Sequence, residues 1–176
     1  MLIPKNKYQL HNRNLNFDVV DDFDFNSHSA CYYFRGGNGF GKTSFLEKIV
    51  IPALEAANCQ YLYIGQDIRT QLYTLRALLS VQGHRVSETD EYDLLRLWVQ
   101  QGQSARIFIL DEFDKYFPDY SFIFDWSKSF IQSYIIVTHQ QLPPIGAAAR
   151  SFASVHVRFE LIDVDGHVKN VRVRKE

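Results

Sequence analysis

A run of eight residues early in the chain combines glycines, a lysine and a threonine in a pattern that binds phosphate groups. The run matches G-x-x-x-x-G-K-[S/T] at every position and reads Gly36-Gly37-Asn38-Gly39-Phe40-Gly41-Lys42-Thr43. Glycines let backbone N–H groups approach a polyphosphate closely, and the following helix adds the positive end of its dipole. We expect Lys42 to neutralise the β- and γ-phosphates of a nucleotide and the Thr43 hydroxyl to bind Mg²⁺. The alternative is a glycine-rich turn with an accidental lysine.

Two adjacent carboxylates follow a strand-like apolar run later in the chain. The run 107–110, Ile-Phe-Ile-Leu, leads directly into Asp111 and Glu112. If this strand lies parallel to and beside the strand before the phosphate loop, Asp111 comes close to the Mg²⁺, directly or through a water. Glu112 would then orient and polarise the attacking water. Without the phosphate loop, the same pattern is simply a strand that ends in solvated acids.

Two further polar residues come immediately after predicted strands. Gln66 follows the run 61–64 and Gly65, and His139 follows the run 134–137 and Thr138. Because α/β proteins bind ligands at the carboxyl ends of their parallel strands, we expect both side chains near the phosphate loop. Gln66 is a candidate contact of the metal or the water, and His139 is a candidate contact of the γ-phosphate. Taken alone, each is more often a surface polar residue.

The elements that must position these residues are short apolar runs that alternate with helical periodicity. Continuous apolar runs typical of buried strands occupy 30–34, 61–64, 107–110 and 134–137. Helical spacing of apolar residues follows the phosphate loop, where Pro52 is expected to kink or end the helix. The alternation predicts an α/β fold of the P-loop NTPase class. We expect a three-layer sandwich around a mainly parallel sheet, in a single domain over residues 1–176.

Antiparallel strands are predicted at both ends of the chain. Residues 8–25 alternate in polarity, and Asp21-Asp22 is expected to be the turn of a hairpin. The segments 155–161 and 168–173 are expected to form a second hairpin that turns at Asp165-Gly166.

Two more helices are predicted between the second and third buried strands. The first is expected to end at Gly83 and carries an apolar stripe made of Leu72, Leu75, Leu78 and Leu79. The second is expected to begin at Ser87.

The composition excludes several classes of protein. Hydrophobic residues make up 46% of the chain, enough for a core, and 19 Lys and Arg stand against 20 Asp and Glu. The net charge of −1 argues against a dedicated nucleic-acid binder, which is usually basic overall.

The N-terminus is too polar for a signal peptide, so we expect a cytoplasmic protein. Cys31 and Cys59 lie in apolar, strand-like stretches and are expected to be buried, reduced thiols.

Together these motifs resemble the ATP-binding-cassette (ABC) ATPases over about residues 8 to 168. The run 36–44, which ends in Ser44, resembles that family's phosphate loop, and 63–66 resembles its Q-loop. Leu110-Asp111-Glu112 resembles its Walker B motif with the catalytic glutamate, and 137–139 resembles its switch histidine. The resemblance implies ATP and Mg²⁺ as ligands, with the nucleotide held by residues 36–44. The metal site would be formed by Thr43, Asp111 and Gln66, and the catalytic residues would be Glu112, His139 and Gln66.

The chain also departs from the ABC pattern. Only 23 residues separate Lys42 from Gln66, and only 20 separate Gln66 from Ser87, so the antiparallel and helical lobes of the family must be much reduced. Val86-Ser87 stands where the family has its Leu-Ser-Gly-Gly signature, but no glycine follows. Ser87 therefore either contacts the nucleotide of an opposing subunit or only caps a helix, as Ser-x-x-Asp commonly does.

The position that stacks on adenine in the ABC family has no clear aromatic residue in this chain. Tyr8 and Phe17 are the candidates for it.

Three functions fit these observations. The first is a compact ABC-type ATPase that hydrolyses MgATP as a homodimer and drives a membrane transporter or protein partner, through which it would be associated with a membrane. The second is a P-loop ATPase acting on nucleic acid, in DNA repair or DNA translocation or extrusion. Its basic residues would be Lys169, Arg172, Arg174 and Lys175, which alternatively form the solvated face of an edge strand. The third is a nucleotide-dependent switch with little turnover.

Overall fold

The computed structural model describes residues 2–25, 29–86, 90–112, 115, 121–139 and 151–176. Within these residues lie ten strands and five helices. The strands are β1 (Leu2–Ile3), β2 (Asn6–Leu10), β3 (Leu15–Val19), β4 (Phe23–Asp24), β5 (Ala30–Arg35), β6 (Tyr61–Ile64), β7 (Ile107–Asp111), β8 (Ser133–Val137), β9 (Ala153–Asp165) and β10 (Val168–Lys175). The helices are α1 (Lys42–Phe45), α2 (Ile51–Ala56), α3 (Ile68–Val81), α4 (Glu91–Gln101) and α5 (Ser121–Ser127).

Eight of the strands form one sheet in the order β2-β3-β10-β9-β5-β8-β7-β6. The strands β9, β5, β8, β7 and β6 are parallel to their neighbours in this row. At the other side of the sheet, β10 pairs antiparallel with β9 and parallel with β3, and β2 pairs antiparallel with β3. The structure therefore confirms an α/β fold with a mainly parallel sheet and antiparallel strands from both ends of the chain.

Two hydrophobic clusters cover the two faces of the sheet. Successive side chains of β5 point to opposite faces, so that Phe34 packs with the helix after the phosphate loop, whereas Tyr33 packs with α3, α4 and α5. Strands β7 and β8 are buried along their whole length, which explains why their sequences are continuously apolar rather than alternating. The three layers that the sequence predicts are thus present.

The predicted N-terminal hairpin is wrong in its pairing. Strand β3 carries the buried side chains Leu15, Phe17 and Val19, as expected, but its two edges are already occupied by β2 and β10. The segment after Asp21-Asp22 therefore cannot fold back on β3, and β4 pairs with β1 in a separate two-stranded sheet.

The predicted C-terminal hairpin is confirmed, and its strands are longer than predicted. Strands β9 and β10 pair antiparallel from the turn to Lys175. Gly166 in the turn has φ of +60°, a left-handed conformation that glycine adopts without a steric penalty.

The helices differ from the sequence expectations in three details. The helical path after the phosphate loop continues past Pro52 to Ala56, with a π-helical turn over Leu46–Val50 before it. Leu78 on α3 is exposed rather than part of the buried stripe. Helix α4 begins later than predicted, because Asp90 is its N-cap and its side chain accepts a hydrogen bond from the Asp93 N–H.

Four phenylalanines anchor the start of the first helical segment against the sheet. Phe45, three residues after Lys42, packs edge-on against Phe17 and Phe159, with ring centroids 5.2 and 5.4 Å apart. Phe34, two residues before Gly36, contacts both Phe45 and Phe159. Aromatic packing of this kind fixes the two ends of the phosphate loop relative to each other.

Both cysteines are buried and are not joined by a disulfide. Among the described residues, no helix is long and apolar enough to cross a membrane.

Replacing Gly36 by alanine should destabilise the fold more than replacing Gly166. Both glycines have positive φ, at +150° and +60°, but a Cβ on Gly36 would lie 2.4 Å from the backbone oxygen of Phe159, whereas nothing lies within 4 Å of one on Gly166. We expect Gly36→Ala to lower the free energy of unfolding by about 1–3 kcal/mol more than Gly166→Ala. Urea unfolding measures both changes, and equal losses would show that the close contact with Phe159 does not restrict position 36.

Candidate functional site

The predicted site residues meet at the carboxyl edge of the parallel strands. The phosphate loop follows β5, and Asp111 ends β7. Gln66 comes two residues after β6, and His139 comes two residues after β8. Strand β8 lies between β7 and β5, so the strand that ends in Asp111 is not the direct neighbour of the strand that leads into the phosphate loop. Asp111 still reaches the loop, since the Thr43 hydroxyl lies 3.3 Å from its Oδ1.

A cavity of about 390 Å³ opens beside the phosphate loop. Six residues of the predicted loop and its helix line it, together with the predicted Gln66 and Glu112. Three other lining residues, Arg13, Leu15 and Glu47, were not predicted. The loop residues in the lining are Asn38, Gly39, Gly41, Lys42, Thr43 and Ser44.

Gly36, Gly37 and Phe40 do not line the cavity but pack closely within the protein, and Gly41 does both. Gly36 lies against the backbone of Phe159, and the ring of Phe40 folds over Gly37, so close that a Cβ there would lie 2.7 Å from it. Gly41 has φ of +78° and would, with a Cβ, meet Leu15 and Phe17 at 2.9 Å. The glycines therefore allow the loop to pack closely against the sheet, and they also let its backbone N–H groups approach a phosphate.

Lys42 folds back over the loop that precedes it. Its Nζ donates hydrogen bonds to the carbonyl oxygens of Gly36 at 2.8 Å and Gly37 at 3.1 Å, and the residue is buried. Burial lowers the pKa of Lys42, while the nearby Glu112 and Asp111 carboxylates act in the opposite direction. The ammonium group is thus held within the cradle where the motif would bind phosphate.

Thr43 joins two of the predicted metal-site residues. Its hydroxyl donates to Asp111 Oδ1 and accepts a hydrogen bond from Gln66 Nε2. Three residues from separate segments of the sequence therefore form one polar cluster at the start of α1. This is the arrangement that the sequence predicts for the metal site.

Asp111 supplies the observation that tests whether a metal fits. The residue is fully buried, and its Oδ2 has no hydrogen-bond partner among the described residues. Burial raises the pKa of Asp111 to about 7, and the negative charges of Glu112 and Glu47 act in the same direction. A buried carboxylate oxygen without a partner, next to a threonine hydroxyl, is a donor set that fits Mg²⁺. Thr43 and Asp111 would hold the ion directly or through water.

Glu112 has both carboxylate oxygens engaged. Oε1 lies 2.8 Å from Nε2 of His139, and Oε2 accepts a hydrogen bond from Nζ of Lys115. Burial raises the pKa of Glu112, but the hydrogen bonds from Lys115 and His139 outweigh burial, so that the pKa lies below its ordinary value. The carboxylate is therefore ionised at neutral pH, and His139 contacts it directly, a contact that the sequence did not indicate.

Two further predictions concern contacts with the nucleotide. Ser87 lies outside the described residues, although the cap of α4 is Asp90 rather than Ser87. Phe17 is buried in the phenylalanine cluster, and the Tyr8 hydroxyl donates to the Pro4 carbonyl. Neither aromatic ring lines the cavity, so the structure does not support either as the adenine-stacking residue.

The sequence missed several charged residues around the loop. Arg13 lines the cavity and lies 4.0 Å from the Glu47 carboxylate, and Lys169 on β10 donates to the carbonyl oxygen of Gly39 at 3.1 Å. Lys115 contacts Glu112. No motif marks these positions. The contacts of Arg13 and Lys169 depend on how the strands are arranged, and Lys115, although only three residues after Glu112, belongs to no recognised pattern.

The chemistry available at this edge follows from these contacts. A glycine-rich loop and Lys42 can bind a polyphosphate, and Thr43 with Asp111 can bind a divalent cation. Glu112 is an ionised carboxylate on the wall of the same cavity and can accept a proton.

Comparisons with known proteins find structural similarity but no match in sequence. No protein-family model matches the chain, and no curated protein matches its sequence. Among solved structures, the chain is similar to a KaiC-like protein from the hyperthermophilic archaeon Pyrococcus horikoshii OT3, with 13% sequence identity and a TM-score of 0.47. The similarity covers 84% of this chain and 80% of that one. A similarity of this degree carries no argument about function, and we base the proposals below on the site alone.

Replacing Asp111 by asparagine should stabilise the metal-free protein at alkaline pH. The pKa of Asp111 rises from 3.8 to about 7 on folding, so as the pH increases the folded protein keeps this proton longer than the unfolded chain does. The wild type therefore loses stability as the pH rises through this range, and Asn, which cannot ionise, avoids the loss. We expect Asp111→Asn to raise the free energy of unfolding by about 1–3 kcal/mol at pH 8 in EDTA, with a much smaller effect at pH 4.

Asp125→Asn is the matched control for this experiment, because Asp125 is an exposed carboxylate on α5. Its substitution should change the melting temperature little at either pH. A lower melting temperature of Asp111→Asn at pH 8 would contradict the interpretation that burial and the neighbouring acids outweigh the attraction between Asp111 and Lys42.

Proposed function

We propose that the protein binds ATP with Mg²⁺ and hydrolyses it. One observation carries the proposal: the Thr43 hydroxyl at the end of a complete phosphate loop is joined to the buried Asp111, and the next residue is the ionised Glu112. A loop that only turned a strand into a helix would not require a buried, incompletely paired carboxylate beside it.

The residues divide the reaction between them. Lys42 would bind the β- and γ-phosphates, and the backbone N–H groups of the loop would hold the remaining phosphate oxygens. Glu112 would accept a proton from the water that attacks the γ-phosphorus while the bond to the ADP oxygen breaks. Bound Mg²⁺ would supply positive charge to the phosphate oxygens and fix their orientation.

His139 would act on Glu112. Its Nε2 contacts Glu112 Oε1, so the imidazole orients the carboxylate toward the cavity. Gln66 would act through Thr43, whose hydroxyl it contacts. Both proposed roles differ from the sequence predictions, in which His139 contacts the γ-phosphate and Gln66 contacts the metal or the water.

The finer part of the proposal is a compact ABC-type ATPase that works as a homodimer with a membrane or protein partner, in the cytoplasm. Its support is the order of motifs along the chain and their arrangement at one sheet edge. Between Lys42 and Gln66 the chain forms only one helical segment and β6, in keeping with reduced lobes. The exposed apolar residues Tyr73, Leu78 and Val81 on α3 offer a surface for such a partner.

The basic C-terminal tail gives less support to the nucleic-acid alternative. Arg172 and Arg174 lie 3.6 and 3.9 Å from the carboxylates of Asp18 and Glu160. Lys169 and Lys175 donate to the backbone oxygens of Gly39 and Asp22. All four cationic side chains thus have partners within the chain, which is expected if they form the solvated face of a strand.

The test of the proposal is phosphate release by the purified protein with Mg²⁺ and ATP. We expect Glu112→Gln to reduce kcat by about 10²–10⁴-fold while nucleotide binding persists, because only the proton acceptor is lost. Glu160→Gln is the matched control, because Glu160 lies on β9 and is not among the residues that line the cavity. The rate of this variant should equal that of the wild type. A wild type without turnover, or a Glu112→Gln variant with unchanged kcat, would contradict the proposal.

The Glu112→Gln variant tests the dimer, and the wild type tests the nucleic-acid alternative. We expect Glu112→Gln with MgATP to sediment as a dimer in analytical ultracentrifugation, because a slowed reaction keeps the nucleotide between the subunits. A variant that binds MgATP and stays monomeric would contradict the dimer. Stimulation of the wild-type rate by single- or double-stranded DNA would favour the nucleic-acid alternative.

A further inference from the structure

The contact between Lys115 and Glu112 is not explained by ATP hydrolysis alone. A carboxylate that accepts a proton from water needs an oxygen that the water can reach. In this structure one oxygen of Glu112 contacts His139 and the other contacts Lys115. The lysine therefore occupies the oxygen that the reaction would use.

The backbone builds this contact. Glu112 has φ of +55°, a left-handed conformation that is uncommon for a residue with a side chain, and its N–H remains bonded to the Val137 carbonyl. The Lys115 N–H donates to the Glu112 carbonyl at 3.0 Å. Lys115 and Glu112 are therefore joined by a backbone hydrogen bond as well as by the contact between their side chains.

The two partners differ in exposure. The Glu112 side chain is 11% exposed, whereas that of Lys115 is 51% exposed. A half-exposed lysine can leave the pair for another anion at the same place, while the buried carboxylate stays where it is. Lys115 is also close enough to Lys42 for their positive charges to repel each other, which places it near the phosphate-binding group.

We propose that Lys115 is a positioning residue that restrains Glu112 until a nucleotide binds, an inference that rests on the proposed ATPase function. A polyphosphate carries more negative charge than one carboxylate, so it competes with Glu112 for the ammonium group. When Lys115 moves to the phosphate, Glu112 Oε2 becomes available to the attacking water. The restraint would limit the reactivity of Glu112 when the cavity holds no triphosphate.

A double-mutant cycle tests the contact and its dependence on nucleotide. The melting temperatures of Lys115→Met, Glu112→Gln and the double variant are compared with that of the wild type, without nucleotide and with Mg²⁺ and a saturating non-hydrolysable ATP analogue. Without nucleotide we expect non-additive shifts, in which the double variant melts no lower than the less stable single variant. With the analogue we expect the shifts to become additive.

Lys128 and Asp125 provide the matched control pair. They are also three residues apart and form a salt bridge at 3.2 Å, but both are about half exposed or more. Asp125 lies on α5, and Lys128 directly follows that helix. The cycle of Lys128→Met and Asp125→Asn should not respond to the analogue. Additive shifts for Lys115 and Glu112 without nucleotide, or non-additivity that the analogue leaves unchanged, would overturn the inference.

Steady-state kinetics provide the second measurement. Because Lys115 contacts the phosphate rather than Glu112 once a nucleotide is bound, we expect Lys115→Met to leave kcat within about twofold of the wild type and to raise the KM for ATP about threefold to tenfold. Lys115→Arg should keep both wild-type values. A raised kcat of Lys115→Met, which would show that the contact with Glu112 persists in the nucleotide complex, or an unchanged KM would overturn the inference. A wild type without turnover would instead count against the proposed function, and the melting experiment, which needs no turnover, would still decide the role of Lys115.

Discussion

Asp111 ends β7, the strand next to the sheet edge formed by β6, with its carboxylate fully buried and one oxygen unpaired among the described residues. Removing a charge from water is unfavourable unless an opposite charge or several hydrogen bonds compensate for it. Here the Thr43 and Tyr63 hydroxyls and the charge of Lys42 stabilise the carboxylate, but burial and repulsion from the neighbouring acids Glu112 and Glu47 outweigh them. A divalent cation at this position would compensate the charge, and the phosphate loop beside it would bring further negative oxygens to the same ion.

The rest of the fold holds the partners of this carboxylate in place. The phenylalanine cluster of Phe17, Phe34, Phe45 and Phe159 fixes the phosphate loop on one side of the sheet. Strand β8 lies between β5 and β7 and carries His139 to Glu112 at its end. The inserted strand therefore separates the loop from Asp111 by one strand position and also provides the residue that orients Glu112.

The sequence predicts the parts of this site that depend on local pattern. The phosphate loop is contiguous, and the fully buried strands β7 and β8 appear as unbroken apolar runs directly before Asp111 and His139. Strand order is not encoded in such runs, so the position of β8 and the pairing of β3 with β2 could not be predicted. Contacts between side chains distant in the fold, such as Lys169 with the Gly39 carbonyl, have no periodic signal. The Asp90 cap was missed because Ser87 offers the same capping chemistry three residues earlier.

The most direct test of the account is a crystal structure of the protein with Mg²⁺ and a non-hydrolysable ATP analogue. The account predicts that the triphosphate lies in the loop 36–43, with Lys42 Nζ moved from the carbonyl oxygens of Gly36 and Gly37 to the phosphates. The metal should lie beside Thr43 and Asp111, where the unpaired carboxylate oxygen is. A nucleotide bound elsewhere, or a metal that has no contact with Asp111 directly or through water, would contradict it.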